Sequence, residues 1–483
     1  MWLVGISLLW MTALPAQTRI TLQKVVNEWS LHSPSAEKIR LAYENSVLEH
    51  KNYLKGFLPS VALTMNPLTF NHSLRLMQNP TDGSYSYVND YSNTSNAGLS
   101  IQQKIGVTGG VLSVNSSLSV LTELSTHRNS FNTTPFSLNY SQQLLGGYYA
   151  YRQLKKIESL KSVNAVRLYC SDTAEVQIKA LNAFLNLFLA DITKKLALKN
   201  IAITDTLLAA GKALLENGHF TEYEYKQIEL QANNNQYVYE TAVKDWGQLY
   251  RQLWAFLGKE DQQDSIDIVT PDFMLPLTVD YEVVAKYARK NSPFALSQET
   301  KRLEAEQTLF NAKLSNRFNA SMNISYGMNQ YAEHFTDAYR KPDYSQGVMI
   351  GFQIPVFQWG VNRNKLHIAK NNYRNALLEL EEAETSYTND LLDKVNAYNQ
   401  GVKLYFLSQR SYQLAQEQYE LLSAKFRYGK VSVYEVTSAQ KESYEAMKKY
   451  YSSMQTVWNQ FFMLRKITLY DFMRQRELIE VYR

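Results

Sequence analysis

The chain has 483 residues, enough for two or three ordinary domains, with 45% hydrophobic and 20% charged residues, a balance that excludes a disordered polypeptide. A net charge of +5 is small for this length and gives no support to nucleic-acid binding. One cysteine, Cys170, excludes an internal disulfide and a cysteine-built zinc site; in a helical stretch it reads as a small core residue.

The N-terminus opens on an apolar run, Trp2 to Leu14, followed by Pro15-Ala16-Gln17. It is too short to span a bilayer as a helix and has the length of a signal-peptide core, which places cleavage after Ala16 and leaves residues 1–16 outside the mature fold. No lysine or arginine precedes the run, a departure from the usual pattern. Nowhere else do 18 apolar residues follow one another, so a chain of this kind that crosses a membrane does so with strands. The 34 tyrosines suit wide amphipathic surfaces or membrane-interface belts.

The next elements occur twice. Val25-Val26 to Ser33-Pro34 resembles Val283-Val284 to Ser292-Pro293. A helical stretch follows, to Phe57 in one half and to about Leu314 in the other. Strand-like alternation comes next: Val61, Leu63 and Met65 in the first half, Met322, Ile324 and Tyr326 in the second. A returning strand is predicted over Phe136 to Leu145 and over Val348 to Phe357. Between its strands the first half is about 47 residues longer. The excess holds Leu99 to Ile105, a Gly109-Gly110 turn and Val111 to Leu121, an inserted β-hairpin, with exposed loops predicted around Asp82 to Asn96 and Thr126 to Thr134.

Each half then descends a proline-free helix, about Arg152 to Asn217 and about Asn362 to Tyr428, each roughly 100 Å long at 1.5 Å per residue. Leu181, Phe184, Leu185 and Phe188 keep helical spacing. Leu391, Val395, Tyr398, Val402 and Tyr405 alternate steps of four and three, which is coiled-coil spacing. A shorter helix returns to Gly258 or to about Tyr470. Helices that open and close each repeat together match the long helix in length, so two short ones stacked end to end could line it. Residues 259–277, with Pro271 and Pro276, read as the linker between a first repeat (17–258) and a second (278–470), and 471–483 as a tail.

The turns between long and short helices share one pattern. Gly218, Thr221 and Glu224 recur as Gly429, Ser432 and Glu435. The glycine suits the left-handed position past a helix C-terminus. Thr221 and Ser432 are N-cap residues, and the glutamates three positions on complete a capping box, with Phe220/Tyr225 and Val431/Val436 as hydrophobic staples.

Strand pairs alternating with very long helical hairpins, twice in one chain, resemble the TolC family of outer-membrane efflux proteins. The Gly-x-x-Ser/Thr-x-x-acid tips carry the resemblance, together with Phe352-Gln353-Ile354-Pro355-Val356-Phe357 followed by Gly360 and, more loosely, Tyr140 to Gly147. The resemblance implies a mainly α fold with a membrane β-barrel portion, built as a homotrimer. Each protomer would give four strands to a shared barrel and four helical columns to a shared periplasmic tunnel. The inserted hairpin is expected to stand above the membrane as an extracellular extension; the alternative is that it widens the barrel. Function follows as a passive outer-membrane duct of a tripartite efflux pump or type I secretion system. A periplasmic adaptor and an inner-membrane pump would dock at the tips, with Gly218, Thr221, Gly429 and Ser432 as contact residues. Carried over, the aperture positions are Glu435 and Ser438, with Val431 where some members have a basic residue. Glu435 therefore has two competing roles, helix cap and gate, whereas Glu224 reads as a cap. A non-transporting coiled-coil scaffold of the cell envelope is the alternative function, and a stand-alone diffusion porin is disfavoured by the long hairpins. No phosphate loop, His-Glu-x-x-His or Gly-x-Ser-x-Gly motif is present, and the seven histidines lack metal-ligand spacing, so no enzyme, cofactor or metal is expected.

Overall fold

A computed structural model describes residues 18–78, 82–124, 126–259, 266–272, 274–426, 428 and 430–480. The predicted signal peptide and Gly429 lie outside the described residues. In chain order the elements are β1 (Thr18–Ile20), α1 (Pro34–Lys55), β2 (Ser60–Gln78), β3 (Tyr85–Ile105), β4 (Gly110–Glu123), β5 (Arg128–Gln143), α2 (Gly147–Glu216), α3 (Glu222–Leu257) and β6 (Ile266–Ile268). The second half follows with α4 (Tyr281–Asn291), α5 (Pro293–Ser315), β7 (Asn319–Ala332), β8 (Asp343–Gln353), α6 (Val361–Phe426), α7 (Val433–Thr468), β9 (Tyr470–Asp471) and β10 (Arg476–Glu477). They form two compact units, one from residues up to Asn45, Asn164–Ala295 and Ala383 onward, the other from Ser46–Val163 and Leu296–Glu382.

The first unit is helical. Its core joins Leu181, Phe184 and Phe188 of α2, Leu253 and Trp254 of α3, Leu391, Val395, Tyr398 and Val402 of α6, and Val457 and Phe461 of α7. The stripes read from the sequence are thus the buried faces. Both halves enter this unit through a Ser-Pro corner. Ser33 and Ser292 are buried and extended (ψ 154° and 143°), and each hydroxyl accepts an amide of the following helix, from Ala36 and Phe294. Pro34 and Pro293 begin those helices, where a missing N–H costs nothing. The linker is anchored rather than bare: β6 pairs with β1 in parallel, the Tyr398 hydroxyl donates to Pro276 O at 2.5 Å, and Asn399 bonds both backbone groups of Val279 at 2.9 Å. Cys170 is buried with Leu469 and Leu478, and burial pushes its thiol up to about 11, so it is an inert core residue.

The second unit holds one antiparallel sheet of six strands in the order β2-β3-β4-β5-β7-β8. Here two expectations are corrected. The first repeat supplies four strands and the second supplies two, so the chain gives six strands instead of four. The inserted hairpin is no separate extension either. It is the lower half of β3 with β4, and it is laddered on both sides, from Ser60↔Gln102 to Gln78↔Tyr85 and from Val111↔Ser141 to Glu123↔Arg128. Sequence spacing suggested an outward loop because the Ser- and Asn-rich stretches near Asn93 and Asn132 look like loops; they are strands, laddered to their neighbours although polar residues stand on both faces there.

The β3–β4 turn is fastened at the end of the sheet where the helices begin. Gly109 has φ +74°, and a Cβ there would stand 3.1 Å from the backbone of Gly147, the first residue of α2. A Cβ on Gly106 would enter the Tyr151 ring, and one on Gly110 would meet Gln142 and Tyr140. Thr108 O accepts from Gln142 Nε2 at 2.6 Å. Four close approaches at one turn explain the glycines and fix the hairpin's position.

Candidate functional site

Register sorts the strand residues onto two faces, since side chains alternate along each strand. One row across the sheet runs Val61, Ile101, Val114, Leu138, Tyr326 and Gln346. The neighbouring row on the other face runs Ser60, Gln102, Ser113, Asn139, Ser325 and Gly347. The same partition holds along the strands: Leu63, Leu99, Leu112, Leu118, Phe131, Ile324, Val348 and Phe352 share the first face, and Thr64, Ser100, Asn115, Ser117, Asn132, Ser137 and Asn323 share the second. Val111, Leu121, Tyr331 and Met349 are exceptions on the polar face, and Asn93, Ser95, Gln103, Ser116, Asn129 and Gln346 are polar exceptions on the apolar face.

The apolar face is exposed where it should be buried in a water-soluble protein. Val61, Leu63 and Met65 are 63–67% exposed, and Val348 is 70% exposed. The polar face is hydroxyl and carboxamide, stitched along the strands by bonds such as Asn139 Nδ2 to Ser137 Oγ (2.9 Å). Among the residues whose side chains are described, its charged positions sit towards strand ends, at Lys104, Glu123, Arg128 and Asp343. A sheet with lipid-compatible side chains outside and neutral polar side chains inside is a channel wall. Phe357 and Trp359, in ring contact at 4.7 Å and largely exposed, stand after β8, where an interfacial aromatic belt belongs.

The hairpin tips form the other end of the argument. At the first tip Gly218 has φ +71°, with His219 N bonded to Leu214 O (2.8 Å) and Gly218 N to Leu215 O (3.0 Å), a Schellman ending of α2. Nothing lies within 4 Å of a Cβ there, so the glycine serves backbone conformation and not space. Thr221 caps α3: its Oγ1 accepts Glu224 N at 3.3 Å, and Glu224 Oε2 accepts Thr221 N at 2.8 Å. At the second tip Lys430 N bonds Lys425 O (3.3 Å), and Ser432 and Glu435 repeat the capping box with the same distances, 3.3 and 2.8 Å.

The two tips meet. Phe220 stacks edge-on against Phe426 at 5.9 Å, in a cluster with Leu207, Ile228, Val431, Val433 and Val436. The cap hydrogen bonds hold the Glu224 and Glu435 carboxyls below their ordinary range, so both are ionised at neutral pH. Glu435 and Ser438 are exposed, three residues apart on one side of α7. Ser438 also lines a groove of about 450 Å³ with Asn200, Gln231, Asn235 and Gln440. Asn235 bonds Thr204 Oγ1 at 2.7 Å, and Gln231 reaches Asn235 and Gln440. Sequence reading missed this carboxamide cluster because its members are on three helices distant in the chain, without shared spacing.

Residues 288–467 match the family model for outer membrane efflux protein. The stretch that matches lies within the second repeat and is similar to outer membrane efflux protein domains. Searching curated protein sequences finds no match. Solved structures extend the likeness across both repeats, as fold. A membrane protein from Pseudomonas aeruginosa aligns with TM-score 0.66 at 12% identity, covering 92% of this chain and 90% of that one. The CmeC outer membrane channel of Campylobacter jejuni aligns with TM-score 0.65 at 14% identity, covering 92% and 85%. The open state of the Neisseria gonorrhoeae MtrE outer membrane channel aligns with TM-score 0.60 at 15% identity, covering 92% and 88%. The fold over both repeats is that of outer-membrane efflux channels, a β-barrel portion joined to long helices.

Proposed function

We propose that the chain is one protomer of a homotrimeric outer-membrane duct that passively conducts solutes delivered by a periplasmic adaptor and an inner-membrane pump, in a tripartite efflux or type I secretion assembly. The observation that carries this is the two-faced sheet, with exposed apolar residues on one side and on the other polar residues that carry charge only towards the strand ends, in a chain whose residues 288–467 match the outer membrane efflux protein model. The described residues contain no helix long and apolar enough to cross a membrane, so the strands are the spanning element. The helical hairpins would extend into the periplasm. Tip residues Gly218, Thr221, Gly429 and Ser432 would be presented to the adaptor. The chain itself supplies a route and no energy source.

Glu435 fits both of its roles. Its carboxylate closes the cap on Ser432 and remains exposed on the side of α7 that also carries Ser438. Three copies around one mouth would bring three ionised carboxylates together, a ring that attracts cations. Glu435→Gln separates the roles, since glutamine also completes a capping box. We expect this variant to keep the tip fold and to change cation block of the channel; unchanged block would leave the cap alone.

Reconstitution tests the reading. A trimer purified from outer membranes that conducts ions across a planar bilayer supports the duct. A folded protein that a salt wash releases and that never conducts would replace it with an envelope scaffold.

A further inference from the structure

The sheet ends on two open edges, β2 and β8, each with a row of backbone N–H and C=O groups that no other strand among the described residues pairs. In lipid such edges are not tolerated, and a sheet of six strands is below the eight of the smallest membrane barrels. The apolar face continues to both edges, through Val61, Leu63 and Met65 on β2 and through Val348, Ile350 and Phe352 on β8. Edge strands of soluble sheets are blunted by proline, lysine or bulges. β8 has neither proline nor lysine over its 11 residues, and the proline of β2, Pro67, stands at its register shift, above the stretch Ser60–Asn66.

Direction also fits. β2 leaves the helical end of the sheet and β8 returns to it, because the number of strands is even. β8 of one copy therefore meets β2 of another in antiparallel sense, as in every ladder within the sheet. The hairpin that makes the number six is continuous with the sheet, and its turn is seated by Gly106 against Tyr151, by Gly109 against Gly147 and by Gly110 against Gln142 and Tyr140.

We propose that three copies close an eighteen-stranded barrel, β2 of each joined to β8 of the next, so that β3 and β4 widen the pore beyond the twelve strands that four per copy would give. This rests on the trimeric duct proposed above. With strands about 4.8 Å apart and tilted about 40°, eighteen strands give a backbone diameter of roughly 36 Å, against roughly 24 Å for twelve. The wall would be the Ser, Asn, Gln and Gly rows already described, uncharged through its middle. A passage of that width and chemistry suits bulky hydrophilic solutes of either charge.

Electron cryo-microscopy of the full-length protein in lipid nanodiscs tests this by counting strands. The expected result is a trimer with eighteen strands and a barrel about 1.5-fold wider than a twelve-stranded one. A trimer with twelve strands in the wall and the β3–β4 pair folded outside it would overturn the proposal and leave the duct intact. Particles without a closed barrel would overturn both.

Discussion

The two repeats agree in their helices and disagree in their strands. α3 and α7 are both 36 residues long, both begin with a capping box, and α2 and α6 have 70 and 66 residues. The strand regions contribute four and two strands. The difference shows where each part gets its constraint. A helical tip is fixed by local geometry: a left-handed residue, a cap and a carboxylate three positions on, none of which can shift by one residue without losing the turn. A barrel wall asks only that each side chain point to the correct face and that edges meet antiparallel. An added hairpin satisfies both requirements, since it brings two strands and leaves the parity unchanged.

The most severe way to break this comparison is to misplace a charge on the wall. Val114→Arg puts a cation on the apolar face, and we expect a loss of about 2–4 kcal/mol if the site lies near the bilayer midplane. Ser113→Arg, one residue away on the other face, should fold and assemble and alter conductance instead. Chemical unfolding in liposomes reads the difference, and equal losses would remove the two-faced wall.

A smaller effect is expected at the turn that fastens the added hairpin. Gly109→Val and Gly83→Val both force a left-handed residue, a cost of roughly 1–2 kcal/mol. Among the described residues a Cβ on Gly83 would meet the Gln78 side chain alone, at 3.8 Å, whereas one on Gly109 would meet the Gly147 backbone at 3.1 Å. Trimer yield should therefore fall clearly more for Gly109→Val. Equal yields would mean that the seating at α2 does not matter.

At the tips, Thr221→Ala and Ser432→Ala should each lower local helix stability by about 1 kcal/mol, measured as faster amide exchange over the first turn of α3 or α7. Similar exchange changes in both would sharpen the equivalence of the repeats; a change in only one would break it.

The smallest effect is with pH. The cap lowers the folded-state pKa of Glu224 and Glu435 below the ordinary value of 4.5. The stabilisation is thus present above about pH 4.5 and is lost as pH falls through the lowered value. Amide protection at both tips, taken relative to the intrinsic exchange rate at each pH, should fall together below pH 4 and stay flat between 6 and 8.

Most of the fold was legible because it rests on local or periodic signals. The caps at Thr221 and Ser432 and the buried stripe from Leu391 to Tyr405 lie where sequence spacing puts them. Strand number was not legible, because Asn93, Ser95, Asn129 and Asn132 have loop-like composition and become strand only through long-range pairing. The apolar and polar faces were visible strand by strand but could be joined into one wall only once register was known. The carboxamide groove at Asn235 and Gln440 needed three helices brought together.

The central claim is that water lies on one face of the sheet and lipid on the other. Single-cysteine variants Ser113→Cys and Val114→Cys test it directly, because Cys170 is buried and gives little background. A charged, membrane-impermeant thiol reagent should modify Ser113→Cys and change its conductance, while Val114→Cys should react only with a lipid-soluble maleimide. Equal reaction of both with the charged reagent would contradict the account.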